Sequence, residues 1–488
     1  MVLKKIFYGA LSSILFLFGI LIFNWYDIKQ DKTEVASVNS LYQDDSSVSE
    51  TLSQLIRFKT VSIAEHNKVD LSQFQQLITY LHSRFPDVFK VLKIQPFNEQ
   101  AILLEWPGSD SQLSPVMFTA HYDVVRAENE NWKHAPFSGH IDDQYIWGRG
   151  ALDDKSAIVA IFHSLKTLIN ADYQPKRTMY FAFGGDEEVG GQLGAKKISD
   201  FLSSNKIKLK FLLDEGMPIA DGIMKGLEKP VAMIGIAEKG YVNLKLTATT
   251  SGGHSSSPPK QTAIGVLATA IQKLEQQPMQ ATISKPIGLL FDTLAQDMQG
   301  VQGIAVSNRW LTESILTGQL AKQNSTNALI RTTFATTMIE GSKQVNVLPK
   351  NATANINVRI LPGDSTQSVV SHVENVIDDE RIKIMTIGNK IEPSSVSDIN
   401  NLAYQLIETA IKETFPDILV APSLLIASTD AKHYQPIVEN IYRFRPFWIR
   451  SEDIARLHGK NERISIENLK QMTMFYHQLI KKTGKSSD

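Results

Sequence analysis

Gly184-Gly185-Asp186-Glu187-Glu188-Val189-Gly190-Gly191 stands directly behind the apolar run 179–183. Two adjacent glutamates at the mouth of a buried strand require an explanation, because a carboxylate there is costly to desolvate unless a cation or strong hydrogen-bond donors receive it. The pattern recurs. Residues 116–120 run into His121-Tyr122-Asp123, residues 211–213 run into Asp214-Glu215-Gly216, and Gly148-Arg149-Gly150 leads to Asp153-Asp154-Lys155, ahead of an amphipathic helix over 157–169. Apolar runs that end in ligand-type residues are what an α/β sheet gives when its site lies beyond the carboxyl ends of its strands. One histidine and several carboxylates then meet at one edge.

His121 and Asp123 are two apart, so on an extended backbone they point to the same side. The carboxylate can then hold the imidazole nitrogen that faces away from a metal and fix its tautomer. With no cysteine in the chain, disulfides, thiolate sites and a cysteine nucleophile are excluded, and any metal must rest on His, Asp and Glu. The net charge of -1 argues against a nucleic-acid partner but leaves small acidic ligands open. A chain of 488 residues, 43% hydrophobic, is long enough for two domains.

Lys4 and Lys5 precede an apolar run over 6–23, about the length that spans a bilayer. The basic flank places the N-terminus in the cytoplasm, and no A-x-A-like cleavage site follows closely. Residues 1–26 therefore read as an uncleaved signal anchor, with the rest of the chain outside the cytoplasm, secreted if the segment is cut. A polar linker over 27–49 is expected to be flexible. Residues 50–238 form the first part of an α/β domain, in which the strands 101–106 and 116–120 are expected to be neighbours. From Lys239 the text alternates polar and apolar, as in 242–248 and 352–360, which an antiparallel sheet with one wet face requires. Residues 239–393 thus read as an inserted α+β domain carrying Gly252-Gly253-His254-Ser255, with a mostly helical segment over 287–323 to which no chemistry attaches. The first domain resumes over 394–482, and 483–488 is expected to fray.

The ordered set His121-x-Asp123, Gly148-Arg149-Gly150-x-x-Asp153-x-Lys155, Asp186-Glu187-Glu188, Asp214, Gly252-Gly253-His254-Ser255 and His458-Gly459-x-Asn461-Glu462 resembles the co-catalytic dizinc metallopeptidases of the aminoacylase and glutamate carboxypeptidase kind. The text Thr429-Asp430-Ala431-Lys432-His433-Tyr434 looks most like the carboxypeptidase S branch, which also contains secreted N-acyl amino acid hydrolases. The resemblance covers about residues 50 to 480. It implies a zinc-exopeptidase-like α/β catalytic domain with a mostly parallel central sheet, and an inserted α+β domain serving as lid and dimerisation surface.

The resemblance further implies two zinc ions per subunit, with manganese or cobalt as substitutes. Asp153 would bridge them, His121 and Asp214 would complete one, and Glu188 and His458 the other. Asp123 would orient His121, and Glu187 would be the general base that takes a proton from the attacking water and passes it to the leaving amine. His254 would help hold the oxyanion, in dimeric members from the partner subunit. Asn327 and Arg359 fall where the family binds the substrate's free carboxylate. Asp214 is followed by Glu215, and either carboxylate can be the ligand, with the resemblance favouring the first. The family pattern gives the last metal position to His458 rather than His433, and Lys432 stands where arginine is expected. The activity implied is hydrolysis of the amide before a free carboxylate in N-blocked dipeptides or N-acyl amino acids. The competing reading is a membrane-anchored metal-binding pseudoenzyme or peptide-binding protein; no expected catalytic position is missing to favour it.

Overall fold

The apolar runs become the middle of an eight-stranded sheet. Its strands are β1 (Lys93–Phe97), β2 (Ala101–Trp106), β3 (Val116–His121), β4 (Met179–Gly184), β5 (Leu209–Ala220), β6 (Val231–Glu238), β11 (Leu419–Leu425) and β12 (Val438–Ile449); four others, β7 (Gly240–Thr249), β8 (Thr333–Glu340), β9 (Asn351–Ile360) and β10 (Ile382–Ile391), form a second sheet. These come from a computed structural model that describes residues 2–29, 47–128, 130–224 and 226–485. Most of the expected linker and the last three residues lie outside that set.

The large sheet runs β1-β2-β4-β3-β5-β12-β6-β11. Pairings β4–β3, β3–β5, β5–β12 and β6–β11 are parallel, whereas β1–β2 and β2–β4 are antiparallel. β3 and β4 are buried at every position, the signature of strands covered on both faces. The expected adjacency of 101–106 and 116–120 does not hold, because β4 lies between them. Helix α2 (Lys155–Asn170) is buried along most of its length rather than on one stripe, because the sheet covers one side and helix α10 (Ile466–Lys485) packs on the other. Thr483 and Gly484 are buried within α10, so helix replaces the expected fray up to Lys485.

The second sheet runs β8-β9-β7-β10, all antiparallel. Helices α3 (Ala263–Gln276) and α8 (Thr366–Ile377) cover its apolar face, which has a core of its own built on Val242, Leu244, Leu246, Ile356 and Val358. The segment between α3 and β8 carries four helices, α4 (Lys285–Ala295), α5 (Gly300–Ser307), α6 (Arg309–Leu320) and α7 (Asn324–Ile330). α4 does not join that core. Its Ile287, Leu290 and Leu294 pack with Val231, Ala237, Ala421 and Leu424 at the edge of the large sheet. Helix α9 (Leu402–Thr414) returns the chain to the first core. The N-terminal helix α1 (Val2–Lys29), with residues 5–28 of mean hydropathy 2.4, leaves its most apolar window unburied and meets the body at α4 and α5.

Candidate metal centre and active cleft

His121 closes β3, and Glu187 and Glu188 open the turn after β4, so two neighbouring parallel strands deliver imidazole and carboxylates to one edge. Asp123 holds them together. Its carboxylate accepts from Ser62 Oγ at 2.7 Å and from the backbone N–H groups of Glu187 and Glu188 at 3.2 and 3.1 Å. The same carboxylate lies 3.3 Å from His121 Nδ1, and the Asp123 carbonyl is 3.1 Å from that nitrogen. Nε2 is thereby turned inward, 3.0 Å from Asp153 Oδ1, 3.3 Å from Glu215 Oε1 and 4.0 Å from Glu187 Oε2.

His458 comes from the far end of the chain. Its Nε2 lies 3.0 Å from Asp153 Oδ2 and 3.3 Å from Glu188 Oε1, so Asp153 offers one oxygen to each imidazole. Glu462 fixes that relation. One of its oxygens accepts from the N–H groups of Gly150, Leu152 and Asp153 at 3.0, 2.8 and 3.2 Å, and the other from Arg149 Nη1 at 2.6 Å. Arg149 also donates to the carbonyls of His458 and Gly459. The loop bearing Asp153 and the loop bearing His458 are latched by one buried ion pair.

Of the adjacent pair on β5, the structure turns Glu215 and not Asp214 into the site. Neighbouring strand residues face opposite ways. Asp214 accepts from Thr119 Oγ1 at 2.5 Å, from the Glu215 N–H at 2.9 Å and from the Ala431 N–H at 2.8 Å, which occupies its carboxylate with internal partners. Glu215 instead approaches His121 and Arg445. The geometry thus departs from the expected choice of Asp214.

Arg445 and Asp154 were not expected here. Arg445 Nη1 is 3.3 Å from Asp153 Oδ1 and 3.2 Å from Glu215 Oε2, and it also pairs with Asp154. The signal was the alternation Arg443-Phe444-Arg445 in an otherwise apolar strand, since a buried arginine needs a carboxylate partner. Arg443 finds its own in Glu238 at 2.7 Å.

Charge crowding marks the centre. Burial, with repulsion from neighbouring carboxylates, pushes Glu187, Glu188 and Glu215 above the usual range and Asp154 up to about 7. Burial alone would raise Asp153 too, but Arg445 and the two imidazoles outweigh it and hold it well below. Hydrogen bonds to Asp153 and Glu188 raise His458 to about 10. Two groups of three donors, His121–Asp154–Glu215 and Asp153–Glu188–His458, each have their ligand atoms within 4.8 Å of one another. Nitrogen and oxygen donors with excess buried negative charge fit a pair of divalent cations.

These residues form the floor of a cleft of about 1270 Å³. Arg359, Tyr241 and Lys390 line it from the second sheet, and Leu425, Pro436 and Leu457 give it apolar walls. The Arg359 guanidinium lies 5.5 Å from the Tyr241 ring centre. Asn327 is elsewhere, lining a separate hollow with Pro278 and Arg331. His254 is exposed and bonded to Ser256 Oγ at 2.8 Å, outside the cleft. Lys432 and His433 line the cleft wall; His433 Nε2 is tied to the Gly190 carbonyl at 2.8 Å, and among the described residues His433 belongs to neither group of possible metal donors.

The sequence was compared with known proteins. Residues 117–482 match the profile of peptidase family M20/M25/M40. The chain is 41% identical over 466 residues to the probable carboxypeptidase S-like 2 of Dictyostelium discoideum, covering 94% of this chain and 90% of that one. It is 40% identical over 437 residues to the N-fatty-acyl-amino acid synthase/hydrolase PM20D1 of Xenopus tropicalis, covering 88% and 85%. The M20 family metallo-carboxypeptidase Sso-CP2 of Sulfolobus solfataricus superposes with a TM-score of 0.65 at 17% identity, over 90% of this chain and 100% of that one.

Proposed function

This chain belongs to peptidase family M20/M25/M40 and is a metallopeptidase or amidohydrolase, and on that premise we propose that it cleaves the amide next to a free carboxylate in N-acyl amino acids and N-blocked dipeptides. The observation that carries this reading is that one cleft holds both a largely enclosed glutamate, Glu187, its side chain 10% exposed, and a cation, Arg359. Arg359 suits the substrate carboxylate, because a guanidinium can bind it through two hydrogen bonds. The apolar walls suit the acyl or blocking group, and the name of the Xenopus relative supports an acyl chain there.

His121, Asp153, Glu188, Glu215 and His458 would hold two divalent ions, zinc on the strength of the donor set; such ions would polarise the scissile carbonyl and acidify water. Glu187 takes the proton of the attacking water and returns it to the leaving amine. Its burial among Glu215 and Asp430 makes it a stronger base than a solvated carboxylate. Asp123 keeps Glu187 in place through the backbone N–H it receives. His254 can steady an oxyanion only by entering a neighbour's cleft, which makes a homodimer part of this reading. α1 anchors the protein, N-terminus in the cytoplasm and cleft outside.

The test is amino-acid release by the metal-loaded full chain in detergent, across N-acyl amino acids and N-blocked dipeptides. Chelator-sensitive release is expected, with Arg359→Met raising KM about 10–100-fold, the loss of a charge-assisted pair. No release from any member by a protein holding two metal equivalents would refute the reading.

A further inference from the structure

The helical segment α4–α7 has no part in the cleft, yet it is where α1 docks. The joint is specific. Asn24 Nδ2 donates to Asn308 Oδ1 at 2.8 Å, Asn308 Nδ2 donates to the Leu21 carbonyl at 3.0 Å, and Trp25 Nε1 donates to the Met298 carbonyl at 3.2 Å. Asn308 is fully buried by these contacts. Position 303 must be glycine, since a Cβ there would fall 2.4 Å from Trp25 Nε1.

Asn308 is also the hinge between α5 and α6, so the anchor's exit point and the start of α6 are one place. None of the residues of α6 is buried. Trp310, Leu311, Ser314, Ile315 and Gly318 make an exposed face over an arc of about 140° at 100° per residue, with Glu313 and Gln319 exposed on either side of it. Trp310 is 64% and Ile315 65% exposed, and Val301 on α5 is 81% exposed. That face carries no charge. Of the helix's two charged residues, Arg309 is bound through both nitrogens to Asp292 and Glu313 sits on the flank.

The depth of this face follows from the anchor. The apolar run 6–23 is about 27 Å long as helix, close to the roughly 30 Å of a hydrocarbon core. Leu21 and Asn24, which Asn308 grips, are therefore at the headgroup level on the far side. Trp310 and Leu311, two and three residues beyond Asn308, start at the same level, where tryptophan is favoured. Resting on the reading of α1 as a membrane span, we propose that α6 is a second membrane contact. It lies in the interface of the bilayer that α1 crosses, with Trp310, Leu311 and Ile315 in the acyl boundary. The occupant is the lipid surface itself, and the lack of basic residues on the face makes neutral lipid sufficient. The grip on α1 then holds the enzyme body at a fixed height over the membrane, in reach of amphiphilic substrates dissolved there.

The absence of cysteine makes the test clean, since every introduced cysteine is unique. Full-length Leu311→Cys, Ile315→Cys and Glu313→Cys variants would carry a nitroxide and be reconstituted in phosphatidylcholine vesicles. Labels at 311 and 315 are expected to be relaxed more by oxygen than by a nickel chelate, and the label at 313, some 160° around the helix from 311, the reverse. In parallel, the Leu311→Glu, Ile315→Glu double variant should raise KM for a long-chain, membrane-dissolved N-acyl substrate about tenfold while KM for a short soluble one stays unchanged. Protein that floats with vesicles while all three labels face water would overturn the proposal and leave the anchor reading standing. Protein that does not float would overturn both. A KM rise of equal size for both substrates would also count against membrane seating.

Discussion

Asp214 and Glu215 are adjacent carboxylates on one buried strand, and the structure gives them different work that isosteric amides can separate. In Asp214→Asn, one oxygen can be kept for Thr119 and the Glu215 N–H, but the other becomes an NH2 that faces the Ala431 N–H. Two charge-assisted hydrogen bonds become neutral, about 0.5–1 kcal/mol each, and the Ala431 N–H, facing an NH2, keeps only its longer bond to Thr429 Oγ1 at 3.3 Å, about 1–2 kcal/mol more. The sum is roughly 3 kcal/mol, or a fall in melting temperature of about 3–5 °C for a domain of this size. Metal content should be retained. In Glu215→Gln the fold loses little, because a crowded carboxylate is removed and Arg445 keeps Asp153 and Asp154. Its metal affinity should drop by more than the roughly 10–100-fold that the loss of a merely supporting group costs. Calorimetric zinc titration and thermal melts of the two purified variants decide the matter. An Asp214→Asn protein that melts normally but holds less metal, beside a Glu215→Gln protein with full metal, would refute the assignment.

Replacing Glu187 by Gln should lower kcat about 10²–10⁴-fold, with metal content near wild type by elemental analysis; concurrent loss of metal would make Glu187 a structural residue instead. Glu462→Gln should weaken metal binding about 10–100-fold without touching a donor atom, because the Asp153 loop and Arg149 lose their charged latch; unchanged zinc affinity would refute that role. His433 has its pKa lowered to about 4 by burial. Its folded value lies below the unfolded one, so its contribution is intact above pH ~6.5 and is lost as pH falls toward 4, by up to roughly 2–3 kcal/mol. Urea melts of His433→Gln should show a flatter pH dependence in that window, and a profile parallel to wild type would exclude His433 as the source.

The parts of this architecture that depend on local physics were legible in the text. β3, β4 and β5 announce themselves because strands buried on both faces are continuously apolar, and residues that end such runs in His, Asp or Glu have nowhere to go except the sheet's edge. Alternation marked β7 and β9 for the same reason, one wet face. What failed was long-range. The strand that inserts between β2 and β3 comes from residues 179–184, and no local pattern states pairing order. Helix α2 has an apolar stripe by sequence, but only the arrival of α10, some three hundred residues later, buries its other side. The choice between Asp214 and Glu215 turns on which way one strand residue faces, a single step of register. Arg445 was visible as an arginine in an apolar strand, but its partners come from the distant Asp153-Asp154 loop and from β5. Asn327 lies in another hollow because α7 packs beside Arg331 rather than at the cleft, and His254 is carried to the outside by a short exposed strand.

The Glu462 latch has a bearing on when the enzyme comes into being. His121, Asp153 and Glu187 are all made before residue 190, but His458 and Glu462 follow about 270 positions later. At about 5–20 residues per second, that interval lasts roughly a quarter of a minute to a minute. For most of that time the early carboxylates lie beside one another without the histidine that joins the second donor group or the glutamate that locks the Asp153 loop. Chains that stop short of Glu462 are therefore expected to be silent, and hydrolytic competence waits on translation past that residue.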